Sequence, residues 1–243
     1  MIKRKSLLQG LPAALMVLSA AISICAQDQS SGKHNARPQQ AAAAPSAVGE
    51  AKTEAVKYTY EFSQPKFVVN HIVLEHDANG RGTVTFERMN EATPVVEPLE
   101  LSSTALERIQ ASWQALHFLE SETDYQADKQ FPHLGTMRIG MQRGDRKRVA
   151  EFNWTNNSNA STLVNEYRKA ADQAILIFDI SVARENQPLS VPKLMEAMES
   201  MMKREALSDP RQLVKLLQDL STDEHVPLIA RNHAQRLIKK IQK

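Results

Sequence analysis

Apolar residues recur in this 243-residue chain first at every second position and later at every third or fourth, and the change of spacing separates sheet from helix. Residues 67–77 carry Val68, Val69, Ile72 and Val73, β-branched side chains that suit a strand. Ala78-Asn79-Gly80-Arg81-Gly82 follows as a turn signal, because asparagine and glycine tolerate positive φ. Residues 83–88 alternate, with Val84 and Phe86 on one side, so 67–88 predicts a β-hairpin. Residues 58–62 add a short strand. Residues 95–101, with Pro94 before them and Pro98 among them, predict an extended connection. Ser102-Ser103-Thr104 then offers helix N-caps, with Glu107 placed to close a capping box on Thr104. Leu106, Ile109, Trp113 and Leu116 recur at helical spacing.

The order then repeats in kind. Met137, Ile139 and Met141 alternate, Arg143-Gly144-Asp145-Arg146 turns, and Ala150, Phe152 and Trp154 alternate again. The polar stretch 156–161 caps a long helix through Leu163, Tyr167, Ala170, Ala174, Phe178 and Val182, which stops before Pro188. Two strand-strand-helix units predict an α+β domain over 57–188, an antiparallel sheet with helices on one face. Residues 189–243 predict a C-terminal helical extension. Its stripes are Val191, Leu194, Met195, Met198 and Met202, then Leu213, Leu216, Leu217 and Leu220, then Ala230, Ala234, Leu237 and Ile241. Asp209-Pro210 and Ser221-Thr222-Asp223-Glu224 read as the caps between them. A lone helix pair buries too little surface, so this segment is expected to pack on the sheet domain.

The N-terminus has a different character. Lys3-Arg4-Lys5 precedes an apolar run to Ala26, and Gln27-Asp28-Gln29 turns polar: the three parts of a secretory signal, assigned to 1–26. The run falls short of the roughly 20 residues of a membrane-spanning helix. Cleavage after Ala26 is preferred to cleavage after Ser23, and the competing readings are an uncleaved anchor and a lipid anchor on Cys25. The expected mature protein is periplasmic or extracellular, with no stable membrane span. Residues 27–56, with four successive alanines and almost no large apolar side chains, predict a flexible linker that cannot bury enough surface to offset its ordering entropy.

Composition narrows the chemistry. Cys25 is the one cysteine, and it falls within the signal, so a mature thiolate nucleophile, an iron–sulfur cluster and a thiolate zinc site are not expected. A formal net charge of +2 is not that of a nucleic-acid binder.

Four stretches, Phe62-Ser63-Gln64-Pro65, residues 131–136 (Phe-Pro-His-Leu-Gly-Thr), residues 150–155 (Ala-Glu-Phe-Asn-Trp-Thr) and residues 183–188 (Ala-Arg-Glu-Asn-Gln-Pro), give 58–243 a resemblance to a group of exported bacterial proteins of unknown function. The resemblance implies export and transfers no functional residues. Residues 213–219, Val226-Pro227, Ala230-Arg231 and Ala234 resemble a single HEAT-type helical repeat. That likeness implies a packing or partner surface without chemistry of its own.

Each candidate site has a plainer reading. His71 and His76 are five residues apart on one strand and face opposite ways, so with Asp77 they do not make a metal site; one in the core and one at the strand end is expected. His117 lies one turn after Trp113, which predicts an aromatic contact. His225 and His233 lack a zinc pattern. Glu120, Glu122, Asp124 and Asp128 read as an acidic surface loop. Arg143, Arg146, Lys147 and Arg148 surround a turn, with Arg138 close. They read as a charged sheet edge that discourages aggregation, or alternatively as an anion-binding patch. Met195, Met198, Met201 and Met202 read as core, with an adaptable binding surface as the alternative. Asn153-Trp154-Thr155 and Asn159-Ala160-Ser161 match the glycosylation triplet by chance in a chain of bacterial character. Residue types and spacing therefore predict a non-catalytic binding or interaction protein of the cell envelope, with no cofactor and with an envelope protein as partner. The alternative is an extracytoplasmic hydrolase whose site brings His133 or His76 together with distant carboxylates.

Overall fold

The computed structural model describes residues 55–243; the expected export signal and nearly all of the expected linker lie outside the described residues. Six strands form one sheet: β1 (Val56–Ser63), β2 (Val69–Asp77), β3 (Arg81–Arg88), β4 (Val95–Glu100), β5 (Thr136–Arg143) and β6 (Arg146–Phe152). Their order is β4-β3-β2-β1-β5-β6, and every pairing is antiparallel. The helices are α1 (Ser103–Leu116), α2 (Ser158–Asn186), α3 (Val191–Lys203), α4 (Val214–Thr222) and α5 (Leu228–Ile241). The chain is thus α+β, an antiparallel sheet followed by C-terminal helices.

Three local expectations change. Residues 58–62 belong to the central strand β1, with Tyr58, Tyr60 and Phe62 buried on one side, and with β4 four strands rather than three precede α1. The residues expected as a connection are β4, which among the described residues pairs with β3 alone; an edge strand accommodates Pro98 because an outward-facing amide needs no ladder partner. The cap of α1 is Ser102, whose hydroxyl accepts from the Ala105 amide at 3.2 Å, and not Thr104.

Strand alternation sorts the sheet into two faces. Tyr60, Ile72, Leu74, Val84, Phe86, Ile139 and Phe152 are buried under α1 and the first half of α2. The other face is left open by the described residues and carries charge pairs: Lys57 with Glu75 at 2.8 Å, and Arg138 with Glu151 at 2.6 Å.

Helix α2 joins two cores. At 29 residues it is about 44 Å long at ~1.5 Å per residue. Its cap is Asn157, which accepts from the Ala160 amide at 3.0 Å. Leu163, Val164, Tyr167, Ala171 and Ile175 belong to the sheet core, whereas Leu176, Ile180 and Ala183 belong to a second core with α3, α4 and α5. Polar contacts hold the turn before α4 to the sheet side: Arg108 donates to the Ser208 carbonyl at 2.8 Å, and Gln212 to the Glu100 carbonyl at 2.9 Å. Asp209 caps that turn, accepting from the Arg211 amide. Asp223 does not cap α5, which starts at Leu228. It accepts instead from the His225 amide and from Arg184 of α2, the latter at 2.5 Å.

Asp223 and Glu199 fasten the C-terminal helices. The Arg184 guanidinium, with the His225 amide, holds the Asp223 carboxyl at about 2. Lys240, then His233 and Lys203, hold that of Glu199 at about 2. Both folded values lie below the ordinary carboxyl values, so the stability they contribute is present above about pH 4 and is lost as pH falls from about 4 to about 2. Asp223→Asn is expected to lower Tm at neutral pH. The gap from the wild type should close as thermal melts are taken down to about pH 2. A gap that stays constant with pH would show that the Arg184 pair does not act through charge.

Candidate functional site

A groove of about 1170 Å³ runs along α2. Its floor is the end of the sheet, where Phe62, Met137 and Phe152 face the helix. One wall is α2, through Val164, Arg168, Asp172 and Ile175; the other includes Leu194, Ala197 and Met201 of α3. At the sheet end the groove opens between three connections, and four apolar side chains stand exposed there: Phe67 (44 %), Val68 (75 %), Leu134 (37 %) and Trp154 (45 %). Buried apolar side chains need no explanation, but a cluster of exposed ones around a concavity does.

The rim is built by side chains that tie loops together. Gln64 is buried and donates to the carbonyls of Pro132 and His133, at 3.0 and 2.9 Å. Asn153 accepts from the Phe131 amide at 3.0 Å, and its own amide donates to Gln126 at 2.9 Å. Phe131 and Trp154 meet edge to face at 5.3 Å. Three of the four stretches that carry the resemblance, at 62–65, 131–136 and 150–155, therefore come together at this rim.

Gly135 sets the position of the floor beside it. Its φ is +92°, and a Cβ there would lie 2.5 Å from a ring carbon of Phe62. Gly135→Ala should therefore cost roughly 1–3 kcal/mol through backbone strain and move the Phe62 ring. A chemical melt and the aromatic proton shifts of Phe62 check this; an unchanged melting midpoint would mean that the loop relaxes freely.

Polar groups gather midway along the groove. The Arg168 guanidinium lies 5.5 Å over the Phe62 ring and beside the Tyr60 hydroxyl. Burial pushes Tyr60 up to about 12, against the opposing pull of Arg168. Asp172 follows Arg168 by one turn of α2. Its partial burial raises its carboxyl above the ordinary range, against the pull of Arg168 and Arg204. Arg204, just past α3, donates to the Ser200 carbonyl at 3.4 Å. Farther along, Arg88 pairs with Asp179 and lies over Phe86 and Phe178.

The residues expected to form an anion-binding patch do not share one surface. Arg138 is on the open face, between Glu151 at 2.6 Å and Glu61 at 3.5 Å. Lys147 is exposed on that same face, paired with Gln142 in the ladder. Arg143 lies on the helix side beside Tyr58. Arg146 pairs with Glu120 at 3.0 Å. Arg148 donates to the carbonyls of Phe118 and Thr123 and lies 4.6 Å over the Phe118 ring, holding the loop after α1 against the sheet edge.

The histidines separate as strand alternation requires, with one change: His76 is both the core residue and the one near the strand end. His71 is on the open face, 3.1 Å from both Glu61 and Glu87. Partial burial pulls its pKa down, but the hydrogen bonds to Glu87 and Glu61 outweigh it and the net shift is upward. His117 is exposed in a left-handed C-cap (φ 45°), and Phe118 makes the contact with Trp113 in its place, at 4.8 Å. His233 is buried and bonded to Glu199 at 3.0 Å. His133 is exposed and meets Phe131 edge to face. Of the acidic loop, Glu120 pairs with Arg146 and Asp124 caps the Gln126 amide. Met195 and Met198 are fully buried, while Met201 is partly buried and lines the groove. Among the described residues no group of three or more His, Asp or Glu side chains is placed to hold a metal ion, and no helix is long and apolar enough to cross a membrane.

The spacing of Phe67, Leu134, Trp154, Arg168, Asp172 and Arg204 gives no sign that they share a site. The one local signal is Arg168 and Asp172, one turn apart on α2 and off its buried stripe. The chain matches no known family model and no curated protein.

Proposed function

We propose that this chain is an exported, non-catalytic binding protein of the cell envelope, and that it binds through the groove between α2, the sheet end and α3. The observation that carries the reading is the groove itself. A concavity of about 1170 Å³ with an apolar floor, a few converging polar groups and an uncovered aromatic rim has the make-up of a ligand site. The elements that build it are regular: the floor is the sheet and one wall is a continuous helix.

The test uses N-phenyl-1-naphthylamine, a neutral dye that brightens in apolar surroundings. The full chain is expected to bind it saturably at one site and to change the emission of Trp154 as it does so. Ala197→Trp places a bulky side chain in the groove from an exposed position on α3 and should abolish the signal without loss of stability. Dye binding that survives this variant would put the site elsewhere. Export is tested separately, by recovery of a processed chain from the envelope or the medium.

A further inference from the structure

We infer that the groove receives a single acyl chain ending in a carboxylate, with the head at Arg168 and Arg204 and the hydrocarbon lying over Phe62 toward the Trp154 rim. This rests on the groove being the binding site.

The charge of the groove selects the head. Arg168 and Arg204 are both exposed, and among the described residues neither has a carboxylate within 4.0 Å. They approach one acidic group, Asp172, from two elements, α2 and the turn after α3. Two guanidinium groups and one carboxylate leave a positive charge unmatched beside the apolar floor, and the remaining cation of the lining, Lys66, is exposed at the rim next to Phe67. The other acidic group of the lining, Asp179, is already paired with Arg88. A guanidinium fork suits a planar carboxylate in particular, because two parallel N–H groups meet its two oxygens.

The direction of the hydrocarbon follows from the two ends. Beyond Asp172 the lining continues with Ile175, Leu176 and Leu194 but ends at Asp179, a carboxylate paired with Arg88, which would repel an acid head or a hydrocarbon end. In the other direction it runs over Phe62 to the exposed Phe67 and Trp154, which a bound chain would cover. From Arg168 back to Ser161 the lining runs seven steps along α2, about 10 Å at ~1.5 Å per residue, and the rim extends it. An acyl chain occupies about 15 Å, half of the ~30 Å hydrocarbon core of a bilayer, so its far end would reach past Ser161 to the exposed rim at Phe67 and Trp154.

The test displaces bound N-phenyl-1-naphthylamine with hexadecanoate, with methyl hexadecanoate and with a single-chain phosphatidylglycerol. Hexadecanoate should displace the dye at a concentration about tenfold below that of its methyl ester, the difference expected of a charge-assisted pair. Arg168→Gln with Arg204→Gln should erase that difference, each displacement being read against the dye affinity measured for the variant itself. Asp172→Asn removes the competing carboxylate and should tighten hexadecanoate severalfold, which loss of a merely structural residue would not do. All three positions are on the surface or partly buried, and circular dichroism confirms that the variants fold. Equal displacement by acid and ester, or a preference that survives the double variant, overturns the inference while groove binding stands. Preference for the phospholipid overturns the carboxylate assignment. Failure of the dye to bind at all overturns the binding reading and this inference with it.

Discussion

Tyr167→Phe is expected to destabilise the protein by roughly 3 kcal/mol, although it removes one oxygen atom and no carbon. Tyr167 is fully buried beneath the sheet, stacked on Tyr60 at 5.3 Å. Its hydroxyl accepts from the Trp113 indole at 2.9 Å and faces His76 Nε2 at 2.8 Å. The other ring nitrogen of His76 is 2.7 Å from the Asp77 carbonyl, which can only accept. That nitrogen therefore carries the proton, so Nε2 is bare and Tyr167 donates to it. One hydroxyl thus satisfies two buried groups from two elements, α1 and β2. Without it, both are left unpaired in an apolar site, each at a cost of about 1–3 kcal/mol. Urea unfolding measures the loss, and the emission of Trp113 should shift as its indole N–H loses its partner. A change below about 1 kcal/mol would mean that a water enters and replaces the hydroxyl.

The same network has a pH signature. Burial pulls the pKa of His76 down, against the opposing pull of Asp77. A histidine whose folded value is depressed binds its proton more readily in the unfolded chain. Its contribution is therefore complete above about pH 6.5 and declines as pH falls below it. Charge on His71 works in the opposite sense, since Glu87 and Glu61 raise it: its stabilisation is present below about pH 6.5 and fades as pH rises through its folded value. The two histidines of β2 therefore oppose each other in any pH profile of stability, and His71→Gln separates them.

Spacing in the sequence carried the elements well and the site poorly, for one physical reason. Alternation and helical periodicity are local, and they record which side of a strand or helix is buried. Val84 and Phe86, Ile139 and Met141, or Leu213, Leu217 and Leu220 fall on the buried sides that their spacing predicts. Strand order is not local: nothing within 58–62 shows that β5, more than 70 residues on, pairs with β1 as closely as β2 does. Strand alternation also bears on the basic residues near 143–148. The odd spacing that separates His71 from His76 equally separates Arg138 from Arg143 and Lys147 from Arg148, so the split between faces was readable. The groove was not. Its floor, rim and walls come from β1, β2, β5, β6, four loops and two helices, and its cations are scattered over residues 66–204. Only the folded backbone brings them together.

The second large effect concerns the helix that links the two cores. Ile180→Ala should cost about 3 kcal/mol, within the ~2–5 kcal/mol range for truncating a fully buried aliphatic side chain. It should do so without dividing the unfolding transition. Ile180 packs only in the second core, with Met195, Met198, Leu213 and Leu217 as fellow members. Yet it sits on the same unbroken helix as Tyr167 and Ile175, which belong to the sheet core. Fraying α2 back from its C-terminus would expose Ile175 and Leu176 and release Arg88 from Asp179, whose pairing holds β3 to the helix. It would also free Gln173, which bonds the Asp209 amide and Gln212. Loss of the C-terminal helices therefore removes contacts that the sheet core needs, and the two cores should melt together. Helical ellipticity reports on α2 to α5, while Trp113 reports on the sheet core, so the two signals should share one midpoint in the wild type and in Ile180→Ala. Separate midpoints, with the ellipticity falling first, would show that α2 can lose its second half while the first remains bound to the sheet. The groove, which needs Arg168 from one half of this helix system and Arg204 from the other, would then be a site that opens before the protein unfolds.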